Sequence, residues 1–437
     1  MVNNRLNTTT SRYTSISNQL GSFCLNVFTY STVRSATIKS LKVGIVYRIA
    51  QILLLFYIVG WELIHNKGYQ KNERVSSVVT TKVKGQGFVP INRSINRKGN
   101  FADPDYFTDF FTLKKDINYK LLDTADYVIP PSEYNSIFIM TNFIKTEQKQ
   151  SICDEEYWKY KAICNTDEDC SQPGNFVNTW NGIPTGKCIQ SSIRSDLKVC
   201  EIKAWCPGEH DNERYEDNVV RNVLNYTIFI KNDIEFKMFH KKQRNILRNI
   251  TNTYISRCTY HDLKDPYCPV FQVGYILDKA EPNQTEKYLM LIKGGVVIIE
   301  IIWNCDFDLY SRCLPKYFFK RFDLPFGETS TASGFNFRFA NRFRKSNVEY
   351  RELYKAFGLR FIINVSGIGG KFNLVPLMMT IGAGLGLMSI SVLIADCVML
   401  HCTKERKYFQ KVKELDLNFV DTNHNNNNNN HSITARI

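Results

Sequence analysis

Two stretches of the chain are apolar almost without interruption, Val43 to Leu63 and Phe372 to Leu400. Each is long enough to cross a bilayer, which takes about 20 such residues in a helix. From Leu374 to Ala395 no charged side chain occurs. The first stretch contains Arg48 and Gln51, but Arg48 lies within about two turns of its start, where a long cationic side chain reaches the headgroups. The pattern predicts membrane helices at 43–64 and 372–400, a large loop at 65–371, and end segments 1–42 and 401–437. A cleaved signal peptide fits the first stretch poorly, because residues 1–42 precede it and such signals start close to the chain terminus.

Within the loop the pattern changes to short β-branched and aromatic runs, which predict strands: Val296 to Trp303, Asn225 to Lys231 and Leu359 to Val365. The first of these could pass for a third span. Lys293, Gly294, Gly295 and Glu300 interrupt it, and a third crossing would put the chain ends on opposite sides, so a buried strand is the better expectation. Residues 153–206 are richer in cysteine, charge and asparagine and poorer in aliphatics, the composition of a small stapled subdomain. The fold class expected is a two-helix membrane protein with a large β-rich, disulfide-bonded outer domain.

Orientation follows from charge. Arg5, Arg12, Arg34, Lys39 and Lys42 precede the first span, with no acidic residue among them, which places both ends in the cytosol and the loop outside. Of the 13 cysteines, Cys153, Cys164, Cys170, Cys188, Cys200, Cys206, Cys258, Cys268, Cys305 and Cys313 lie in the loop. Their even number fits full pairing in an oxidising compartment, while Cys24, Cys397 and Cys402 are expected free. The spacing leaves the connectivity open, and with no Cys-x-x-Cys and no histidine cluster it does not describe a zinc site. Sequons at Asn92, Asn225, Asn249, Asn283 and Asn364 also suit an exported loop. The net charge of +14 favours anionic partners. An exported domain makes nucleic acid an unlikely one. The tail after Leu400 begins basic and ends in the run Asn425 to Asn430, the composition of a disordered segment.

Two motifs could hold a polyphosphate. In an extended strand Lys82-Val83-Lys84 puts both ammonium groups on one face, and Asn336-Phe337-Arg338 sends its amide and guanidinium one way and its ring the other. Alone, each pair is more often a solvated surface. In the second span Met379, Thr380, Ala383, Gly386, Leu387 and Ile390 recur three or four apart on one helical face, beside the small residues Gly382 and Gly384 that favour close helix packing.

From about Thr32 to Leu400 the chain resembles the P2X purinergic receptors, trimeric ATP-gated cation channels. The resemblance rests on Tyr47-Arg48, Gln51, Gly60-Trp61 and Lys67-Gly68-Tyr69-Gln70, on the ten loop cysteines, and on the two basic motifs. It implies disulfides Cys153 with Cys206, Cys164 with Cys188, Cys170 with Cys200, Cys258 with Cys268 and Cys305 with Cys313. It also implies ATP as agonist, held between neighbouring subunits by Lys82, Lys84, Thr227, Asn336, Arg338 and Lys355. Phe229 would share the strand face of Thr227 and pack on the base or ribose. Met379, Thr380, Ala383, Gly386 and Ile390 would form the gate, Asp396 would lie near the inner mouth, and Thr32, in Thr32-Val33-Arg34, would be regulatory. The partners implied are Na+, K+ and Ca2+ as permeant ions, membrane lipid, and further copies in a homotrimer, with mixed trimers open to related chains, at the plasma membrane or an internal one. Asn373 and Leu377 depart from the family's more polar pattern, and the tail motif is imperfect, with Val412 at the lysine position after Tyr408.

No catalytic residue, metal-ligand set or cofactor motif emerges. An ecto-nucleotidase would need acidic residues on a metal or water beside glycine-rich phosphate loops, and the motifs here are basic. The amiloride-sensitive sodium channel class shares the two-span layout, but its Gly/Ser-x-Ser filter is not supplied by the IGAGLG of Ile381 to Gly386.

Overall fold

The computed structural model describes residues 40–91, 107, 111, 118–170, 172–173, 180–209, 218–247, 250–308, 313–326, 333–404 and 406–407. Thr32, Cys24, Asn92, Asn249, Tyr408 and the Asn425 to Asn430 run lie outside them. The chain forms two units, a helical one drawn from Met1–Tyr69 and Leu374–Ile437 and a strand-rich one, Gln70–Asn373.

The helical unit contains α1 (Leu41–His65) and α4 (Leu374–Cys402), both long and apolar enough to span a membrane. Each widens to π winding in its last part, from Tyr57 and from Val398. The second helix starts at Leu374 rather than 372, because Phe372 still pairs as a strand residue with Gln70. The helices run antiparallel: Val43 packs with Ala395 and Met399 at one end, and Ile58 meets Gly384 further along. A Cβ on Gly384 would stand 3.0 Å from Ile58 Cγ2. Gly384→Leu is therefore expected to overpack this contact by about 1–3 kcal/mol, read as a lower melting temperature of the detergent-solubilised protein. Most other apolar side chains on both helices are exposed, as lipid-facing or subunit-facing surfaces are.

Among the described residues the outer unit carries fourteen strands: β1 (Gln70–Arg74), β2 (Ser76–Lys84), β3 (Gly87–Pro90), β4 (Tyr119–Leu122), β5 (Ser136–Asp154), β6 (Ile183–Gln190), β7 (Lys198–Cys206), β8 (Thr227–Phe236), β9 (Lys241–Arg244), β10 (Val270–Gln272), β11 (Gly295–Asp306), β12 (Lys316–Arg321), β13 (Asn336–Lys345) and β14 (Val348–Phe372). Its longer helices are α2 (Val273–Ala280) and α3 (Gln284–Lys293). The main sheet has the order β12-β11-β14-β5-β7-β6, with β13 and β1 both paired to β14. A second sheet, β10-β8-β2, adds β9 on β8, and β3 pairs β4.

The apolar run at Val296 is a buried strand. Val297, Ile299, Ile301 and Trp303 of β11 are fully buried and alternate with half-buried residues, the period of a strand with one face in a core. Gly294, at φ 84°, permits the turn into it, and a Cβ there would lie 2.0 Å from the Phe335 carbonyl oxygen. The strand predicted from Asn225 begins at Thr227 as β8, with Asn225 itself closing a short 3-10 turn, and that predicted from Leu359 to Val365 lies within β14. Residues 153–206 hold three disulfides and a small core of Cys164, Cys170, Trp180, Cys200 and Ile202. All five disulfides join the partners that the family resemblance implied. Cys397 and Cys402 are free and exposed.

Candidate functional site

The seven residues that the family resemblance implied for ATP fall into two groups on different sheets. In the first, β2 and β8 are antiparallel neighbours with Lys82 opposite Phe229 and Lys84 opposite Thr227. Directly opposed residues share a face, so all four side chains project together. The alternate residues Val83, Ile228 and Ile230 are buried, which fixes this face outward. Thr80 and Lys231 continue it by one further pair. Thr227 also donates its hydroxyl to the Lys84 carbonyl at 3.5 Å, a long contact.

The strand end is braced from behind. Tyr226 is fully buried and stacks on Tyr127 with ring centroids 4.4 Å apart, and burial pushes its phenol far above the ordinary range. Gly85 leaves room for that ring: at φ 156°, a Cβ there would meet Tyr226 Cδ1 at 2.4 Å. The Lys-Val-Lys-Gly sequence thus fits a strand that must end against an aromatic pair.

In the second group, Asn336 opposes Phe357 and Arg338 opposes Lys355 across β13 and β14. Asn336 and Arg338 are exposed while Phe337 turns inward, its ring edge-on to Phe138 at 4.8 Å, as the alternation predicts. Lys355 is buried, its ammonium 5.4 Å from the Phe357 ring centroid. Next along the strands, Lys145 and Glu352 form a 2.6 Å ion pair, which raises the lysine pKa and lowers that of the carboxylate.

One contact was not legible in the sequence. Arg338 Nε donates to Glu209 Oε2 at 2.6 Å, and Glu209 is mostly buried. The carboxylate stands where an anionic ligand of Arg338 would compete for the same guanidinium.

On α4, Met379, Ala383, Gly386 and Ile390 are exposed, so one helical face carries them outward. Thr380 is turned differently. It is half-buried and donates its hydroxyl to the Gly68 carbonyl at 2.9 Å, tying α4 to the segment just after α1. Of the sequons, Asn225, Asn283 and Asn364 are exposed. Among the described residues two sulfur-containing groupings have metal-like spacing, Cys164 with Cys170 and Cys200, and Cys258 with Asp265 and Cys268. Every sulfur in them is committed to a disulfide.

Residues 28–415 match the family model described as ATP P2X receptor. The chain belongs to the P2X receptor family. It is 37% identical to P2X purinoceptor 4 of Bos taurus over 397 residues, covering 90% of this chain and 94% of that one. P2X purinoceptor 5 of Homo sapiens is 35% identical over 396 residues, 89% of this chain and 82% of that one. Among solved structures, an invertebrate P2X receptor from the Gulf Coast tick, in the presence of ATP and Zn2+, superposes with a TM-score of 0.67 at 36% identity. The match covers 80% of this chain and 99% of the tick protein. P2X receptors are trimeric ATP-gated cation channels with two membrane helices per subunit, and this P2X receptor is a ligand-gated channel rather than an enzyme.

Proposed function

We propose that ATP binds between neighbouring protomers of this channel, with Lys82, Lys84, Thr227 and Phe229 supplied by one and Asn336, Arg338 and Lys355 by the next. The observation that carries this reading is the division of the seven residues between two sheets, Lys82, Lys84, Thr227 and Phe229 on β2 and β8 and Asn336, Arg338 and Lys355 on β13 and β14. Lys82 takes the central phosphate position, Arg338 offers its planar donor fork, and Thr227 with Phe229 meets the base and ribose. Na+, K+ and Ca2+ pass between three copies of α4, past Met379, Ala383, Gly386 and Ile390. Thr380, through Gly68, holds the gate segment to its own α1. Both chain ends are cytosolic, the channel sits in the plasma membrane, Thr32 regulates it, and Asn92, Asn225, Asn249, Asn283 and Asn364 carry glycans.

Binding must pull neighbouring outer units together, and the ligand shifts the closed-open equilibrium only by its differential affinity for the two states. The pull has a direct route. β14 runs unbroken from Lys355 to Phe372, and α4 begins at Leu374.

Arg338 is engaged by Glu209 before ATP arrives, so a phosphate must displace that carboxylate. Glu209→Gln is expected to lower the ATP concentration for half-maximal current about three- to tenfold, as removal of a competing charged hydrogen bond would. A rightward shift would instead mean that Glu209 orients Arg338 for the ligand. The reading as a whole is tested by whole-cell current in cells expressing this chain: ATP applied outside should evoke a fast inward cation current. Silence with confirmed surface delivery would overturn it.

A further inference from the structure

Gln70 is the first residue of β1 and pairs directly with Phe372, the last of β14. It is polar and stands at a strand end, where ladders fray, yet only 8% of its surface is exposed. Its Nε2 donates to Asp306 Oδ1 at 2.9 Å and to Asp308 Oδ2 at 2.7 Å. The other oxygen of Asp308 accepts the backbone N–H of Phe372 at 2.8 Å, and the Asp308 N–H returns to Asp306 Oδ1 at 3.0 Å. Gly370 makes room for the amide, since a Cβ there would fall 2.4 Å from Gln70 Oε1. Asp306 closes β11, which runs parallel to β14 up to the pair Asp306 and Gly370. One carboxylate, Asp308, therefore holds both the residue from which the chain comes out of α1 and the residue from which it enters α4.

We propose that Gln70 is a positioning residue for gating: through Asp306 and Asp308 it locks the ends of β1 and β14 together, so that the strand ends joined to the two spans move as one. The inference rests on the channel reading above and adds to it the element that couples the ligand-driven pull to both helices. Without the latch, force delivered along β14 would peel the last pairs of the β1–β14 ladder before it moved α1. The side chain contributes nothing to the ATP faces, which lie on β2, β8, β13 and β14 near Lys355.

The test uses the full chain in cells, with single-channel open probability at saturating ATP, surface amount, and binding of a fluorescent ATP analogue that does not open the channel. Gln70→Ala is expected to lower the maximal open probability about three- to tenfold while leaving analogue binding unchanged. Gln70→Glu, which faces two carboxylates with a third, should lower it further. Pairing Gln70→Glu with Asp308→Asn exchanges donor and acceptor in one of the two bonds and keeps an acceptor for the Phe372 N–H, while the introduced carboxylate still faces Asp306; the double variant should open more often than Gln70→Glu alone without reaching wild type. If Gln70→Ala is retained inside the cell, Gln70→Asn, too short to reach both carboxylates, gives the same readout. The proposal is overturned if the Gln70 variants open like wild type, if adding Asp308→Asn does not raise the open probability of Gln70→Glu, or if analogue binding falls in step with current. Silence of the wild-type channel to ATP would instead remove the reading on which it rests.

Discussion

Replacement of Lys82 by alanine is expected to raise the ATP concentration for half-maximal current by about a hundredfold or more. A lost charge-assisted hydrogen bond costs about 1.5–3 kcal/mol, which is ten- to more than a hundredfold in affinity. With the proposed site repeated in each subunit of a trimer, the loss at each site compounds in the opening equilibrium. Lys82 is exposed on a face fixed by the buried Val83 beside it, so the substitution removes a charge without opening a cavity. Surface delivery should be unchanged. Lys82→Arg keeps the charge but replaces a compact ammonium with a longer planar group, and should fall between the two. Concentration–response curves for the three proteins decide the matter; a shift below about threefold for Lys82→Ala would remove Lys82 from the phosphate contact.

The largest effect on folding is expected at Trp303. The ring is fully buried in β11, and its Nε1 donates to Asn232 Oδ1 at 2.8 Å inside the same core. Trp303→Ala leaves a cavity, costing about 3–5 kcal/mol, and strands a buried acceptor for about 1–3 kcal/mol more. A domain whose total stability is about 5–15 kcal/mol tolerates little of that. Surface labelling and native gels should show almost no trimer at the surface. Trp303→Phe, which loses the donor but leaves a much smaller void, should retain a substantial fraction. Wild-type surface trimer from Trp303→Ala would show that this core relaxes around the void.

The alternation of β8 and β11 was legible because each buries one face, so period and burial agree residue by residue. The full length of β14 was not. Gly358, Gly367, Gly369 and Gly370 look like breaks in a strand, since glycine there ordinarily marks a bulge or a close backbone approach. Here they are close approaches that the strand survives. The register shifts at Phe357 and Gly358, a Cβ on Gly367 would lie 2.0 Å from the Trp303 carbonyl, and one on Gly369 would strike Phe236 at 2.7 Å. The basic faces could be placed from sequence because they obey a period of two. Glu209 could not, because its partner Arg338 lies 129 residues away and no local pattern encodes the pairing. Thr380 marks another limit: helical spacing put it on one face with Met379, Ala383, Gly386 and Ile390, and no local pattern encodes the bond its hydroxyl makes to the Gly68 carbonyl.

From Lys355 to Phe372, β14 is paired in turn with β5, β11 and β1, and no loop intervenes before α4. A loop absorbs an inserted residue freely; a paired strand takes one only by adding a bulge like that at Phe357 and Gly358, since otherwise one extra residue exchanges its two faces. It would also lengthen the path to the pore helix by about 3.3 Å. The stretch between Lys355 and the start of α4 is thus a ruler, and its residue count constrains the receptor as much as any side chain along it.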